Sequence, residues 1–383
     1  MQKVVVLGST GSIGQQALDV IRRYPDQFEV VGLSAKGTRK ESRTQFYADV
    51  DEFLGGNFSR AVLESEHGFK AITELAQTEC SVVLNGISGV IGLKPTLAAL
   101  SSPFAPKLAL ANKESLVAGG HLVQKMLGEN LLERINPVDS EHSAIWQALE
   151  GQKYNTTSVK RLILTASGGP FRGFTKEQLQ KVTVKEALKH PTWNMGPLVT
   201  INSATMMNKA LELIEAVYLF GVDEKQVEIT VHPQSKVHSM VEFIDGSIIM
   251  QTSNNDMRLP IALGLSYPNR LESVICSYDF TTSSTLEFEP LDEDVFRAIK
   301  LARNALRSGP LFPVVMNTAN ELAVDAFLSK KISFLQIVEL VEEVVEQFSS
   351  KYNQPSSLTL ENIEHAIKWS VEECERVIRS VSL

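Results

Sequence analysis

The feature that most constrains the fold is a glycine-rich turn near the N-terminus, Gly8-Ser9-Thr10-Gly11-Ser12-Ile13-Gly14. It follows the apolar run Val4–Leu7 and opens a segment with helical spacing, Ile13–Ile21. Glycines let a backbone turn tightly, and the free N–H groups at a helix start attract a pyrophosphate. This context predicts dinucleotide binding, with a turn that binds nothing as the alternative. The predicted cofactor contacts are Gly8, Thr10, Gly11, Ser12, Ile13 and Gly14.

Strand-like and helical patterns alternate over the first 138 residues. Such alternation is typical of a parallel sheet covered by helices on both faces, so we predict an α/β fold with an N-terminal Rossmann-like sheet. The further predicted strands are Phe28–Leu33, Cys80–Leu84, Lys107–Ala111 and Leu131–Val138, and the further predicted helices are Leu93–Leu100 and Leu116–Leu127.

The segment after the second predicted strand indicates which dinucleotide is used. NAD-binding sheets usually carry an acidic residue about 20 residues past the glycines. Here Lys36, Arg39 and Lys40 are basic, and no acid occurs before Glu41. This pattern suits a 2′-phosphate and favours NADPH, with Lys36 as a contact; a solvated basic loop is the alternative.

Polar residues also follow two later strands. Asn85-Gly86-Ile87-Ser88-Gly89 comes after one, and Asn112-Lys113-Glu114 comes after the next. Open α/β sheets bind ligands at the carboxyl ends of their strands. Lys113 is therefore a candidate substrate or cofactor contact, and a surface lysine at a helix start is the alternative.

Two carboxylates, Asp139 and Glu141, follow the strand that ends at Val138. If the backbone stays extended, residues i and i+2 point to the same side. Adjacent carboxylates repel unless they are protonated or bridged by a cation, and oxygen ligands suit Mg²⁺ or Mn²⁺. An exposed acidic turn is the alternative.

A helix is predicted over Ser203–Glu212, with Asn202 or Ser203 as its N-cap. Asn208 and Glu212 share one face of it, and Lys209 lies beside that face. Glu212 is thus a third candidate metal ligand. An ordinary Lys209–Glu212 ion pair within the helix is the alternative.

Two loops and two histidines complete the candidates. Ser167-Gly168-Gly169 follows an apolar strand and offers backbone N–H groups to an anion. His190–Pro197 holds large apolar residues between prolines, which suggests a lid that closes over a ligand; a loop tucked onto its own domain is the alternative. His232 and His238 lack a strong metal-site spacing and are interpreted as structural or hydrogen-bonding.

Composition excludes several classes of protein. The 383 residues are 43% hydrophobic and 21% charged, which is ordinary for two or three globular domains. The net charge of −8 argues against a general nucleic-acid partner. Three scattered cysteines predict neither a disulfide scaffold nor a zinc site. No signal peptide or stretch of about 18 apolar residues is evident, so we expect a cytoplasmic protein without a membrane partner.

The motifs together resemble the 1-deoxy-D-xylulose 5-phosphate reductoisomerase family along nearly the whole chain. The resemblance rests on GSTGSIG at 8–14, LANKESLV at 110–117, PVDSEHSAIWQ at 137–147, LTASGGPFR at 164–172, HPTWNMG at 190–196, SATMMNKALE at 203–212, HPQSKVHSMV at 232–241 and NTANELAVDAFL at 317–328.

The resemblance implies a role for each matching residue. Asp139, Glu141 and Glu212 would be the metal ligands. Ser140 and Lys113 would contact substrate oxygens or order the cofactor side, and Ser235 and His238 would lie near the substrate. Lys113, Glu141 and His190 are the implied catalytic residues. The substrate contacts are Lys113, Ser140, Glu141, Ser167, His190, Trp193, Ser203, Asn208, Lys209 and Glu212, and Asn112, Glu114 and Gly196 join the cofactor contacts.

The implied reaction converts 1-deoxy-D-xylulose 5-phosphate, a sugar phosphate, to 2-C-methyl-D-erythritol 4-phosphate in the non-mevalonate isoprenoid pathway. It uses NADPH and Mg²⁺ or Mn²⁺, and the family forms homodimers. The other hypotheses are a metal-independent NADPH dehydrogenase of a small aldehyde or semialdehyde, and a non-catalytic NADPH sensor. This chain departs from the family pattern at Ser143, Trp146, Asn202 and Ala210, none of which is a proposed ligand.

The expected domains are an NADPH-binding domain at 1–138 and an α+β catalytic and dimerisation domain at 139–266, with its lid at about 187–197. A connecting segment at 267–290 and a C-terminal four-helix bundle at 291–383 follow. The predicted bundle helices are Asp292–Arg307, Asn317–Leu328, Ile337–Phe348 and Thr359–Ile378.

Overall fold

The computed structural model describes residues 1–128, 130–192, 195–351 and 358–381. Its strands are β1 (Gln2–Leu7), β2 (Phe28–Ala35), β3 (Ala61–Leu63), β4 (Val82–Asn85), β5 (Lys107–Leu110), β6 (Ile135–Pro137), β7 (Val159–Ala166), β8 (Val227–Val231), β9 (Val237–Phe243), β10 (Ile248–Thr252) and β11 (Glu289–Pro290).

Helices connect most of these strands and form the C-terminal region. They are α1 (Ser12–Arg23), α2 (Lys40–Leu54), α3 (Glu64–Leu75), α4 (Leu93–Ser101), α5 (Lys113–Leu127), α6 (Ser140–Leu149), α7 (Lys176–Leu179), α8 (Val184–Ala187), α9 (Pro197–Ala204), α10 (Met207–Phe220), α11 (Arg258–Ser266), α12 (Ala298–Ser308), α13 (Phe312–Leu328), α14 (Phe334–Lys351) and α15 (Leu360–Val381).

The chain divides into two compact units. The first comprises Met1–Ser115, Val123–Trp146 and Asp256–Tyr278. The second comprises Leu116–Leu122, Gln147–Asn255 and the described part of 279–383. The four-part domain division expected from the sequence stays a prediction.

A six-stranded parallel sheet forms the centre of the first unit, in the order β3-β2-β1-β4-β5-β6. Val4, Val5 and Val6 of β1 are fully buried, because helices cover both faces of a parallel sheet. The strand order reverses between β1 and β4, and such a switch point opens a crevice at the carboxyl ends of the strands. The predicted Rossmann-like sheet is confirmed.

The second unit contains a mixed sheet in the order β10-β9-β7-β8-β11. β7 is the central strand and runs parallel to β8 and antiparallel to β9; the turn at Ser167 follows its carboxyl end. The four helices α12–α15 make the C-terminal region mostly helical, as predicted. Among the described residues, no helix is both long enough and apolar enough to cross a membrane.

Several predicted boundaries are wrong for local reasons. The predicted strand Leu131–Val138 begins with a 3₁₀ turn at Leu131–Glu133, so β6 keeps only three residues. α13 starts five residues before Asn317, where Pro313 fits the first turn of a helix. α14 continues to Lys351, three residues past its predicted end at Phe348, and residues 352–357 lie outside the described residues.

Two errors concern the candidate site itself. Asp139 and Glu141 do not lie two residues apart on one strand: the strand ends at Pro137, and Glu141 lies in α6, which begins at Ser140. The predicted helix Ser203–Glu212 is two helices, because Met206 adopts a left-handed conformation (φ 63°) between α9 and α10. Asn202 and Ser203 therefore lie in the last turn of α9 and cap no helix start.

Candidate functional site

The glycine-rich turn lies between β1 and α1 at the switch point. Gly8 has a positive φ of 79°, and the N–H groups of Gly8 and Ser9 donate to the Ser34 carbonyl at 2.9 and 2.8 Å. A Cβ on Gly14 would lie 2.3 Å from the Gly8 carbonyl oxygen, so the turn closes only around glycine. α1 follows Gly11 with no acid in its first turn. Its first N–H groups can therefore face an anion.

The buried carboxylate of Asp49 is linked to this turn through the side chain of Gln15. The Gln15 amide donates to the Ser9 carbonyl at 3.0 Å and to Asp49 at 2.9 Å, and Gln45 donates to the other Asp49 oxygen at 2.8 Å. Burial raises the pKa of the Asp49 carboxyl. Sequence reasoning missed Asp49 because it did not predict α2, although Phe46, Val50 and Phe53 have helical spacing.

The basic residues predicted to contact a 2′-phosphate lie at the carboxyl end of β2. Lys36 is exposed directly after this strand, and Arg39 and Lys40 are exposed at the start of α2. Gly37 takes a positive φ of 70° and turns the chain between them. This placement fits the predicted contact, and the assignment of Lys36 stays a prediction.

Asn112 and Glu114 join the loop after β4 to the start of α5. The Asn112 amide accepts from the Ser115 N–H at 2.9 Å and donates to the Gly89 carbonyl at 2.9 Å and to Glu114 at 2.8 Å. The Gly89 N–H donates to Glu114 at 3.3 Å. Burial raises the pKa of the Glu114 carboxyl. These contacts fix the loop beside the switch point, and the cofactor roles of both residues stay predictions.

Lys113 pairs with Asp139. Its ammonium nitrogen lies 2.9 Å from a carboxylate oxygen, and the two side chains are only 16% and 11% exposed. Lys113 is thus not the surface lysine that the sequence left as an alternative. The same aspartate accepts from the Glu141 N–H at 3.1 Å and lies 3.1 Å from Nδ1 of the buried His142.

Glu141 lies one residue into α6 and is half-buried. The Ser140 hydroxyl donates to it at 2.8 Å. The neighbours Asp139 and Glu141 are therefore arranged by a helix start, where N–H groups favour negative charge, and not by strand alternation. Neither carboxylate is fully exposed, so the alternative of an exposed acidic turn does not hold.

The second unit brings Ser167, His190 and Ser203 together. His190 Nε2 lies 3.2 Å from the Ser167 hydroxyl and 3.0 Å from the Ser203 hydroxyl. Burial lowers the pKa of His190 to about 4, so its imidazole is neutral at pH 7. Two hydroxyls and a neutral imidazole form a compact polar cluster of the kind that hydrogen-bonds an oxyanion.

Gly169 makes this convergence possible. It takes a positive φ of 64°, and a Cβ on it would lie 2.9 Å from the Ser203 carbonyl oxygen. Only glycine allows the turn after β7 to pack this closely against the end of α9. The Ser167 hydroxyl accepts from the Gly169 N–H at 3.2 Å, which orients the serine.

The predicted polar face of α10 is present. Asn208 donates to the Val199 carbonyl at 3.0 Å, and the Lys209 ammonium lies 2.5 Å from a Glu212 oxygen. The intrahelical ion pair thus exists, yet both partners are buried, unlike an ordinary surface pair. A buried pair with so little exposure is costly unless its charges serve a further partner.

The remaining candidates are Gly196, Trp193 and two histidines, His232 and His238. Gly196 precedes α9 and is exposed, and Trp193 lies outside the described residues. His232 is buried and hydrogen-bonds the Glu287 carbonyl at 2.7 Å and the Lys236 N–H at 3.0 Å, so its hydrogen-bonding role is confirmed. Burial lowers the pKa of His238 to about 4.

Family models match three consecutive stretches of the chain. The model for 1-deoxy-D-xylulose 5-phosphate reductoisomerase matches residues 4–120. The model for its C-terminal domain matches 135–220, and a second model for the DXP reductoisomerase C-terminal domain matches 252–372. The chain belongs to the 1-deoxy-D-xylulose 5-phosphate reductoisomerase family.

Curated relatives and solved structures agree with this family along the whole chain. The reductoisomerase of Bifidobacterium longum (strain DJO10A) is 48% identical over 91% of this chain and 90% of its own length. The Mycolicibacterium smegmatis reductoisomerase is 47% identical over 100% of this chain and 95% of its own length.

Two solved members of the family carry ligands. The Zymomonas mobilis reductoisomerase in complex with NADPH has a TM-score of 0.84 at 38% identity, covering 99% of both chains. A reductoisomerase in complex with NADPH, fosmidomycin and magnesium has a TM-score of 0.85 at 35% identity, covering 98% of this chain and 99% of the other.

The half-buried cluster around His190 generates a titration prediction. Because the pKa of His190 is about 4 in the folded protein against an ordinary 6.5, the unfolded chain alone takes up this proton between those values. His190 therefore destabilises the fold as the pH falls from 6.5 to 4. We expect nitrogen NMR, with His190→Gln to identify the signal, to show a neutral imidazole at pH 5.5. A signal half-titrated near pH 6.5 would contradict this environment.

Proposed function

We propose that this chain catalyses the rearrangement and NADPH-dependent reduction of 1-deoxy-D-xylulose 5-phosphate to 2-C-methyl-D-erythritol 4-phosphate, in the non-mevalonate isoprenoid pathway. The observation that carries the proposal is the full-length agreement in fold with reductoisomerases that hold NADPH and magnesium. The residues of this chain fit each group that the reaction needs.

The turn from Gly8 to Gly14 fits the NADPH pyrophosphate. Its glycines bring backbone N–H groups close together at positions where a side chain would collide with the Gly8 carbonyl. Lys36, exposed at the end of β2, would bind the 2′-phosphate through its charge. The other proposed cofactor contacts are Thr10, Gly11, Ser12, Ile13, Asn112, Glu114 and Gly196. Bound NADPH would supply the hydride.

Asp139, Glu141 and Glu212 fit a hard divalent cation as ligands. Each offers a carboxylate oxygen, and an oxygen donor set selects Mg²⁺ or Mn²⁺ over softer metals. When bound, the cation acts as a Lewis acid on the substrate's carbonyl and hydroxyl oxygens. The Lys113 and Lys209 ammonium groups balance the charges of Asp139 and Glu212.

The hydroxyl cluster of the second unit fits the substrate phosphate. Ser167 and Ser203 offer hydroxyls that both contact Nε2 of the neutral His190. We propose that Asn208 and Lys209 complete the phosphate contacts, with Lys209 supplying positive charge. Binding the phosphate far from the reacting carbons holds the substrate in a reactive orientation and can keep the lid closed over it.

Lys113, Glu141 and His190 are the proposed catalytic residues. Lys113 is a half-buried cation and Glu141 a half-buried anion, and both can orient substrate oxygens or stabilise charge that develops on them. Ser140, which donates to Glu141, would contact the same oxygens. Trp193, proposed to pack over the substrate from the lid, lies outside the described residues.

The chain's cysteines disfavour the alternative of a metal-independent semialdehyde dehydrogenase, a class that often uses a cysteine nucleophile. Burial raises the pKa of the Cys80 thiol to about 11 and that of Cys374 to about 12, so neither forms the reactive thiolate at pH 7. Cys80 and Cys374 are free thiols. Free thiols fit the reducing, cytoplasmic location that we propose.

We propose that two chains associate through β10. This edge strand exposes Ile248, Ile249 and Met250 to 47%, 46% and 45%, and Ile244 beside it to 71%. A monomer rarely leaves consecutive large apolar residues exposed on an edge strand, because such edges pair with other chains. The chemistry of this surface therefore suits a second copy of the chain.

We expect the replacement Ile249→Lys to weaken this association, because it places a charge in an apolar contact. Sedimentation velocity should show dimers for the unaltered chain and a shift toward monomers for this variant. Phe104→Lys, which alters a similarly exposed apolar residue of the first unit, is the matched control and should stay dimeric. Equal sedimentation of both variants would contradict the interface.

The assay of function is the loss of NADPH absorbance at 340 nm with deoxyxylulose phosphate and Mg²⁺ or Mn²⁺. We expect turnover that EDTA abolishes and that added metal restores. Glu212→Gln should reduce kcat at least about a hundredfold, since it removes a charged ligand. Glu228→Gln, at an exposed position of β8, should leave the rate unchanged. Full activity in EDTA would support the metal-independent dehydrogenase instead.

A further inference from the structure

The C-terminal helices contain none of the proposed substrate, cofactor or metal contacts, yet α13 buries a group of polar side chains. Asn317, Thr318 and Asn320 lie in its first half and are almost completely inaccessible. Within the part of the chain that the structure describes, the side-chain amide oxygen of Asn320 has no hydrogen-bond partner. An apolar residue at this position would avoid that desolvation cost, so stability alone does not explain the amide.

The amide nitrogen of Asn320 makes one specific contact. It donates to the side-chain oxygen of Asn202 on α9 at 2.9 Å, and both side chains are buried. Asn202 directly precedes Ser203, whose hydroxyl lies 3.0 Å from His190 Nε2. The hydrogen bond therefore joins the C-terminal helices to the turn of α9 that presents Ser203.

α9 needs such a contact because it is too short to be stable as a helix by itself. It has eight residues, fewer than an isolated helix requires for stability, and its chain direction changes at the left-handed Met206 two residues after it ends. Gly169 packs against the Ser203 carbonyl from one side, and Asn320 holds the neighbouring residue from another. Together these contacts fix the rotation of the last turn about the helix axis.

We propose that Asn320 is a positioning residue: through Asn202 it sets the orientation of Ser203 for the substrate phosphate. This inference rests on the proposed function, because the phosphate is the group that Ser203 would bind. It assigns the C-terminal helices a part in substrate affinity, while the NADPH contacts, which lie mainly on the first unit, are unaffected.

The test measures KM for deoxyxylulose phosphate and for NADPH, together with the urea midpoint of unfolding, in four variants. Asn320→Leu removes the donor and should raise KM for the sugar phosphate about tenfold, the equivalent of one lost hydrogen bond, with KM for NADPH unchanged. Asn202→Asp keeps the acceptor oxygen and should keep KM within about twofold. Asn317→Leu alters the same residue type one turn earlier in α13, and should lower the urea midpoint without raising KM.

The double variant Asn202→Leu with Asn320→Leu separates positioning from stability, and it decides the question if Asn320→Leu alone does not fold. Since it leaves no amide of this pair unmatched, its urea midpoint should recover toward that of the unaltered chain. The proposal expects KM for the sugar phosphate to stay raised. Recovery of KM together with stability, or an unchanged KM in Asn320→Leu, would overturn the positioning role alone. No turnover by the unaltered chain would overturn the proposed function and this inference with it.

Discussion

The structure depends on the pairing of buried carboxylates with cations. A carboxylate removed from water is costly unless a cation or several hydrogen bonds replace its hydration. Two pairs of this kind belong to the proposed site: the half-buried Asp139 with Lys113 in the first unit, and the buried Glu212 with Lys209 in the second. Each lysine stands in or beside the first turn of its helix, so the backbone that places the cation also fixes the carboxylate's surroundings.

The proposed function requires two kinds of anion-binding site, and neither kind requires a positive net charge on the protein. In the first unit, backbone N–H groups and a helix start face the predicted pyrophosphate. In the second unit, hydroxyls around a neutral histidine face the predicted substrate phosphate. Because recognition is local, the net charge of −8 is no obstacle to anionic ligands. Part of that negative charge belongs to the proposed metal ligands.

Sequence reasoning found the elements whose signal is local. β1, β2, β4 and β5 begin or end within about two residues of prediction, because buried parallel strands are continuous apolar runs. It missed α2, and with it Asp49, because the few apolar positions of that helix are separated by charged residues. The glycines at positions 8, 14 and 169 stood out in the sequence, but only the structure shows which backbone atoms exclude a side chain from them.

Other features depend on tertiary contacts and leave no local signal. The break at Met206 falls inside a sequence that reads as one helix, and the ion pair between Lys113 and Asp139 joins residues 26 positions apart. The bond between Asn202 and Asn320 spans 118 positions. Motif resemblance named a set of site residues whose roles stay predictions, while the helix start at Ser140 and the polar cluster around His190 required coordinates.

The central claim is that Asp139, Glu141 and Glu212 hold a divalent cation. Titration with Mn²⁺, followed by electron paramagnetic resonance, measures this directly and independently of turnover. The account predicts one bound ion per chain, with affinity lowered more than about tenfold in Asp139→Asn and in Glu212→Gln, while NADPH still binds to both variants. Unchanged Mn²⁺ affinity in both variants would contradict it.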